Sequence, residues 1–261
     1  MKIGILGYKG FLGNAIYSYL LSSGRFEVVG IDRINWVEMG SVNFDILVDS
    51  DGSSSKYLAS TNFVDDFDKN AVVSIKTVSH FKFTKYLLIS SIDVYNNKSN
   101  FMQNSEDAVI DPIGLSNYGF SKYVRELIVR RHAPNWLILR LGGLVGDGLK
   151  KGPIYDILTN SMLYLSQESQ MQFIDTSVVS EIIEKLIEKD LKNVVFNLCG
   201  RGQVLLRDVV AYSGIEIKSE GKFVERVNVN IERISKDMTI PDSLTAVKNY
   251  VDKVSANRSA H

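Results

Sequence analysis

Apolar residues along this chain gather in short continuous runs, and longer stretches with helical spacing lie between them. Ile3, Ile5 and Leu6 form the first run; Gly7, Gly10 and Gly13 follow, and then apolar positions recur at Ala15, Ile16, Tyr19 and Leu20. That order predicts a buried strand, a tight turn and a helix start. Phe26 to Asp32 reads as a second strand, and Phe44 to Val48 as a short, fully buried third. Ser53 to Ser55 read as a polar loop, and Val64 to Phe81 as a helix of weaker periodicity. Tyr86 to Ile89 predicts a fourth strand. Tyr118 to Arg131 predicts a helix with Val124, Leu127, Ile128 and Arg131 at helical spacing, and Trp136 to Leu139 a fifth strand. Alternating helices and buried strands imply an α/β fold with a parallel, doubly wound sheet.

The second half is less regular. Gly142-Gly143 and Gly146-Asp147-Gly148 mark a loop, and Pro153 suits the start of a helix running from Ile154 to Leu165. Met171 to Ile174 reads as a short strand, Val178 to Lys189 as an amphipathic helix and Val194 to Leu198 as a buried strand. Phe223 to Ile231 alternates as a half-exposed strand does, Ser243 to Val251 reads as a last helix, and the polar stretch from Ser255 to His261 as a frayed tail. The expected organisation is a first domain over residues 1–140, to which the strand at 194–198 returns. A small α/β substrate subdomain follows over 141–254, then the tail at 255–261.

Composition adds exclusions. The 30 basic and 30 acidic side chains balance, so neither nucleic acid nor an anionic membrane surface is an expected partner. No apolar stretch is long enough to span a membrane, and the first residues lack a signal-peptide pattern. The single cysteine, Cys199, has no partner for an intrachain disulfide, which suits a cytoplasmic protein. The 3 histidines are scattered, so no metal site is expected.

The glycine turn is the first candidate for chemistry. A helix N-terminus carries unpaired N–H groups and about half a positive charge, and glycine lets the backbone approach a pyrophosphate. Asp32, at the end of the second strand, can accept hydrogen bonds from both adenosine ribose hydroxyls and would repel a 2′-phosphate. That favours NAD over NADP, although Arg33 beside it can pair with such a phosphate. Ser90, Ser91, Asp93 and Tyr95 follow the fourth strand, where ligands of parallel sheets sit. Tyr118 and Lys122, four apart on a helix, share a face, and an ammonium can favour the phenolate of a proton-transferring tyrosine. A Tyr-x-x-x-Lys alone is commonly a solvated helix face, and a Ser/Asp stretch a turn.

Taken together and in this order, these residues resemble the extended short-chain dehydrogenase/reductase superfamily, in its nucleotide-sugar epimerase/dehydratase branch. The resemblance covers roughly residues 1–200. Gly7, Gly10 and Gly13 match the GxxGxxG motif, Ser91 the catalytic Ser/Thr, and Tyr118 and Lys122 the catalytic pair. Asn70 matches an asparagine of the central helix; Leu139-Arg140 and Phe196-Asn197-Leu198 match weaker patterns. The resemblance implies a Rossmann-type sheet binding NAD, with NADP as the alternative, through Gly7, Gly10, Phe11, Leu12, Gly13, Asp32, Arg33, Asp51, Tyr118 and Lys122. It implies Tyr118 as acid/base, Lys122 on the nicotinamide ribose, Ser91 orienting the reacting oxygen, and a homodimer formed by the helices near Asn70 and Tyr118.

Some residues depart from the branch. Asp49-Ser50-Asp51-Gly52 is acidic where small apolar residues usually line the cofactor. Gly143 stands where a substrate-contacting asparagine aligns, and no arginine lies near Met171 to Ile174. Lys150 and Lys151 are the candidate substitutes for phosphate contacts. With Ser91, Asp93, Gly143, Lys150 and Lys151 as substrate contacts, the reading is an NAD(P)-dependent epimerase or reductase of a sugar, expected to be nucleotide-linked. Two alternatives stand beside it. One is a non-catalytic dinucleotide-binding regulator or redox sensor, favoured if the acidic stretch blocks the cleft. The other is a dehydratase using Asp93 as second acid/base, although Ile92 occupies the place of its usual partner acid.

Overall fold

The computed structural model describes residues 1–217 and 220–259. Six parallel strands form its central sheet: β1 (Lys2–Leu6), β2 (Glu27–Ile31), β3 (Asn43–Asp49), β4 (Lys82–Ser91), β5 (Trp136–Leu141) and, from the second half, β10 (Val194–Leu198). The order across the sheet is β10-β5-β4-β3-β1-β2. Chain order reverses between β1 and β3, so the crevice beyond their carboxyl ends is the place where doubly wound sheets bind ligands.

Between these strands lie α1 (Phe11–Ser22), α2 (Trp36–Met39), α3 (Lys56–Thr61), α4 (Phe63–Phe67), α5 (Val73–His80) and α6 (Asn117–His132). The smaller lobe adds β6 (Gly143–Val145), α7 (Pro153–Leu158), β7 (Leu163–Leu165), β8 (Gln170–Met171), β9 (Phe173–Asp175) and α8 (Thr176–Glu188). β11 (Val204–Leu205), α9 (Leu206–Ser213), β12 (Glu220–Phe223), α10 (Glu232–Ser235) and α11 (Ser243–Ser259) complete the described chain. One face of the sheet buries Ile3, Ile5, Leu87 and Leu139 against Ile16 and Leu20 of α1 and Ile183 and Leu186 of α8. The other buries Leu47, Tyr86, Leu88 and Ile138 with Val129 of α6. A third core draws only on the smaller lobe, with Ile157, Phe173, Leu206 and Val247 among its members.

Five expectations need correction. The helix expected over 64–81 is broken at its centre by a π-helical turn, Asp68–Val72. The helix expected from Ile154 to Leu165 stops at Leu158, because Asn160 takes φ +50° and Thr159 bonds back to the Tyr155 carbonyl. Residues 171–174 form two strands, because the chain changes partner at buried Gln172: β8 pairs with β11, and β9 with β6. Of the strand expected over 223–231 only Phe223 belongs to one. Val227, Val229 and Ile231 are buried in alternation as the pattern required, but beyond Val227, whose N–H reaches the Gln170 carbonyl of β8, the N–H groups of Val229 and Asn230 go to side chains. Val229 N donates to Gln172 Oε1 at 2.6 Å, and Asn230 N to Asn104 Oδ1 at 2.8 Å. The tail is helical through Ser259, and residues 260–261 lie outside the described ones. The short α2 and α3, and α9, were not expected at all.

Candidate active site

The turn after β1 has the shape of an anion cradle. Gly7 has φ +74°, and its carbonyl accepts from Gly10 N at 2.8 Å. A Cβ on Gly13 would stand 2.1 Å from the Gly7 carbonyl oxygen, so only glycine closes this turn. α1 begins at Phe11 and Leu12 with no capping side chain and no acidic residue in its first turn. Its first N–H groups and the positive end of its dipole are therefore open to a phosphate. These residues fit a dinucleotide pyrophosphate.

The surroundings of Asp32 change the reading of that residue. Its Oδ1 accepts from Ile34 N at 2.8 Å, and its Oδ2 pairs with Lys9 Nζ, from inside the glycine turn, at 2.5 Å. Those contacts hold the carboxyl below the usual range, the Lys9 bond first among them. Arg33 is exposed beside it. Asp32 is thus paired with the Lys9 ammonium, which weakens its repulsion of a 2′-phosphate.

At the end of β4 the chain makes one turn of 3-10 helix, Ile92–Val94, capped by Ser91. Ser116 caps α6, and its Oγ accepts from Gly119 N at 3.1 Å. A Cβ on Gly119 would lie 2.1 Å from the Asp93 carbonyl oxygen, so glycine there lets the first turn of α6 press onto this loop. That contact carries Tyr118 up to Ser91, whose hydroxyl favours the phenolate against the effect of burial. Lys122 Nζ lies 5.5 Å from the centroid of the Tyr118 ring. Both side chains are nearly buried. Burial, then the Asp93 carboxylate, raises the Tyr118 phenol above its ordinary value. Burial, then the nearby Arg125 guanidinium, lowers the Lys122 ammonium to about 7.

Asp93 sits in a ring of charge. Lys56 Nζ lies 3.0 Å from both Asp93 Oδ1 and Glu225 Oε1, and Lys98 Nζ pairs with both as well. Ser91 Oγ donates to Asp93 Oδ2 at 3.1 Å. Although burial opposes it, the two ammonium groups hold the Asp93 carboxyl down at about 2. So weak a base is poorly suited to removing a C–H proton. Lys56 and Lys98 lie in segments without periodicity, Glu225 lies within the alternating run 223–231, and nothing in the sequence pattern singles out any of the three as a partner of Asp93.

The remaining candidates are placed as follows. The Asp51 side chain is exposed, and its backbone carbonyl is held by Arg125. Asp49 turns inward onto Arg125, its Oδ1 2.6 Å from Nη2, and both are 1% exposed, so this acidic residue does not fill the cleft. Gly143 offers no side chain to a substrate: a Cβ would meet the Phe173 ring at 2.6 Å, and its N–H goes to Gln172 O. Lys151 Nζ reaches Ser54 Oγ at 2.7 Å, and Lys150 is exposed. The two weaker motifs meet in one buried network. Arg140 forks onto Glu126 at 2.9 and 2.7 Å, Ser90 also donates to Glu126, and Tyr95 links Arg140 to Asn197. Their role is to brace β4, β5, β10 and α6 beneath the site.

No family model matches this sequence, and no curated protein matches it. Solved structures match along its whole length. MoeE5 in complex with UDP-glucuronic acid and NAD is 16% identical with a TM-score of 0.87, covering 99% of this chain and 100% of its own. A UDP-galactose 4-epimerase is 18% identical with a TM-score of 0.81, covering 98% of this chain and 99% of its own. RMD from Pseudomonas aeruginosa, complexed with NADPH, is 16% identical with a TM-score of 0.79, covering 96% of this chain and 99% of its own. From the glycine turn to the last helix of the smaller lobe, this chain has the fold of these three proteins.

Proposed function

We propose that this protein is a nicotinamide-dinucleotide-dependent enzyme of the extended short-chain dehydrogenase/reductase type, an epimerase or reductase acting on a nucleotide-linked sugar. The observation that carries the reading is the convergence of Ser91, Tyr118 and Lys122 at the carboxyl end of β4, beside an uncapped α1 and a glycine turn. When bound, the dinucleotide supplies the hydride acceptor or donor and, oxidised, a positive charge near the phenol. The residues of the chain do the rest. The α1 N–H groups and Gly7 to Gly13 hold the pyrophosphate, and Lys122 orients the nicotinamide ribose. Ser91 holds the reacting oxygen, and Tyr118 donates or accepts its proton. In the free protein the raised phenol is protonated, the form that serves a reduction; as a base it needs added positive charge.

NAD and NADP are both accommodated, because Lys9 pairs with Asp32 and the exposed Arg33 follows it in the chain. Residues 141–254, apart from β10 in the central sheet and α8 against its face, form the substrate lobe. The protein acts as a homodimer through α4 and α6, where Val64 is 70% and Leu127 45% exposed beside the clustered rings of Phe63, Phe67 and Phe120. Asp49, turned inward onto Arg125, favours an enzyme over a regulator, and the ion-paired Asp93 favours a simple redox reaction over dehydration. Calorimetry with NAD and NADP on the native chain and on Gly10→Val tests the reading. Binding by the native chain alone is expected, and failure of the native chain to bind either dinucleotide overturns it.

A further inference from the structure

The segment Asp49 to Gly52 lies between the glycine turn and α6 and is braced from both sides. Toward the turn, Ser50 Oγ donates to the Leu6 carbonyl at 2.6 Å. A Cβ on Gly7 would stand 3.0 Å from Cα and N of Asp51. Toward the helix, Arg125 Nη2 pairs with Asp49, and Arg125 Nη1 donates to the Asp51 carbonyl at 2.5 Å. Tyr86 donates its hydroxyl to the second Asp49 oxygen, and Asp51 N donates to the first at 3.2 Å. Gly52, at φ +106°, leaves the room that Arg125 fills, since a Cβ there would lie 2.4 Å from Nη1. Arg125 is three residues after Lys122, one turn along the same helix.

We propose that Arg125 and Asp49 are a positioning pair, a buried strut that sets the distance between the helix bearing Lys122 and the phosphate-binding turn, and that places a fixed cation one turn from the Lys122 ammonium. A buried ion pair is a poor source of stability, because apolar residues of similar volume often serve packing equally well. Apolar residues would not supply the hydrogen bond to Asp51, nor a charge felt at Lys122. That charge acts with burial to lower the Lys122 ammonium to about 7, against the opposing carboxylates of Asp49, Asp66 and Asp51. Tyr118, on the same helix, is the other titratable group facing it.

The strut rests on reading the glycine turn and Lys122 as cofactor contacts. Its test uses the full chain, NAD as the probe, and three variants: Arg125→Lys, Arg125→Met, and the double replacement Asp49→Leu with Arg125→Met. Calorimetric NAD affinity is followed from pH 6 to 9, and urea unfolding checks the fold. Wild type is expected to change affinity with a midpoint near pH 7. The double variant, stripped of both the cation and the carboxylate that offsets it, is expected to lose about tenfold in affinity at pH 7 with little change of midpoint, whereas Arg125→Met alone should move the midpoint upward. Arg125→Met, leaving Asp49 buried and alone, is expected to unfold at lower urea than the double variant. Arg125→Lys keeps the charge, so the wild-type midpoint should persist while the lost Asp51 contact costs about threefold in affinity. Wild-type affinity in the double variant, or a wild-type midpoint in Arg125→Met, would reduce the pair to packing. If the double variant does not fold, Arg125→Lys decides alone, and an unchanged affinity or a shifted midpoint overturns the strut. A wild type that binds no NAD or NADP overturns the cofactor reading and the strut with it.

Discussion

Replacing Lys122 by methionine should stabilise the free protein, and the gain should fade as pH rises. Burial and the neighbouring Arg125 lower this ammonium from 10.5 to about 7. At about 1.4 kcal/mol per tenfold, holding it charged in the folded protein costs about 5 kcal/mol. The folded state therefore binds fewer protons than the unfolded chain between pH 7 and about 10.5, and stability attributable to this group rises with pH through that window. Methionine fills a similar volume without a charge. The variant should therefore exceed wild type by about 4 kcal/mol at pH 7, where Lys122 is half protonated, and by only about 2 kcal/mol at pH 9. Urea unfolding of both proteins at the two pH values gives the comparison, and other titrating groups cancel in the difference. A difference independent of pH, or a variant less stable than wild type at pH 7, would refute the electrostatic account of Lys122. The same variant should bind NAD more weakly, the ordinary exchange of stability for function at an active site.

Three further outcomes are expected. Tyr118→Phe keeps the ring and removes the proton, so turnover should fall by about 10²–10⁴-fold at unchanged NAD affinity; near-normal turnover would remove Tyr118 from proton transfer. Asp93→Asn should cost about 2 kcal/mol in urea unfolding at pH 7, since this carboxyl is held at about 2 instead of 3.8. That contribution is complete above about pH 4 and is lost as pH falls through 2, and turnover of the variant should stay within a few-fold. Blocked turnover with intact cofactor reduction would instead favour a dehydratase. Lys9→Ala removes the cation that neutralises Asp32, so the ratio of NAD to NADP affinity should rise several-fold in calorimetry, and an unchanged ratio would remove Lys9 from cofactor selection.

The sheet was legible because each of its strands is a continuous apolar run, and the order of glycine turn, serine and Tyr/Lys pair is linear in the chain. Elements held by side chains were not legible. Residues 227–231 alternate like a strand, yet the N–H groups of Val229 and Asn230 find the side chains of Gln172 and Asn104 instead of a neighbouring strand. Asp49 stood out as an oddity, but its partner Arg125 is 76 positions away and was indistinguishable from a surface arginine on α6. The Asp93 ring joins four segments that only the fold brings together. Local pattern fixes period and burial; charge pairing across the chain depends on contacts that no local pattern encodes.

Two lysine contacts tie residues 54–56 to the smaller lobe: Lys151 to Ser54 at 2.7 Å, and Lys56 to Glu225 at 3.0 Å. Lys56 is 52% exposed and Lys151 is exposed, so each contact is worth about 1 kcal/mol or less and weakens with salt. Any widening between the lobes to admit a ligand would have to release them, together with the Lys98–Glu225 pair, on the microsecond-to-millisecond scale of such motions. Ionic strength then acts on ligand capture in two opposed ways. Salt slows the approach of an anionic ligand drawn by lysines, yet speeds a step limited by releasing these contacts. The sign of the salt dependence of the association rate therefore tells whether attraction or release of the contacts governs access to the site.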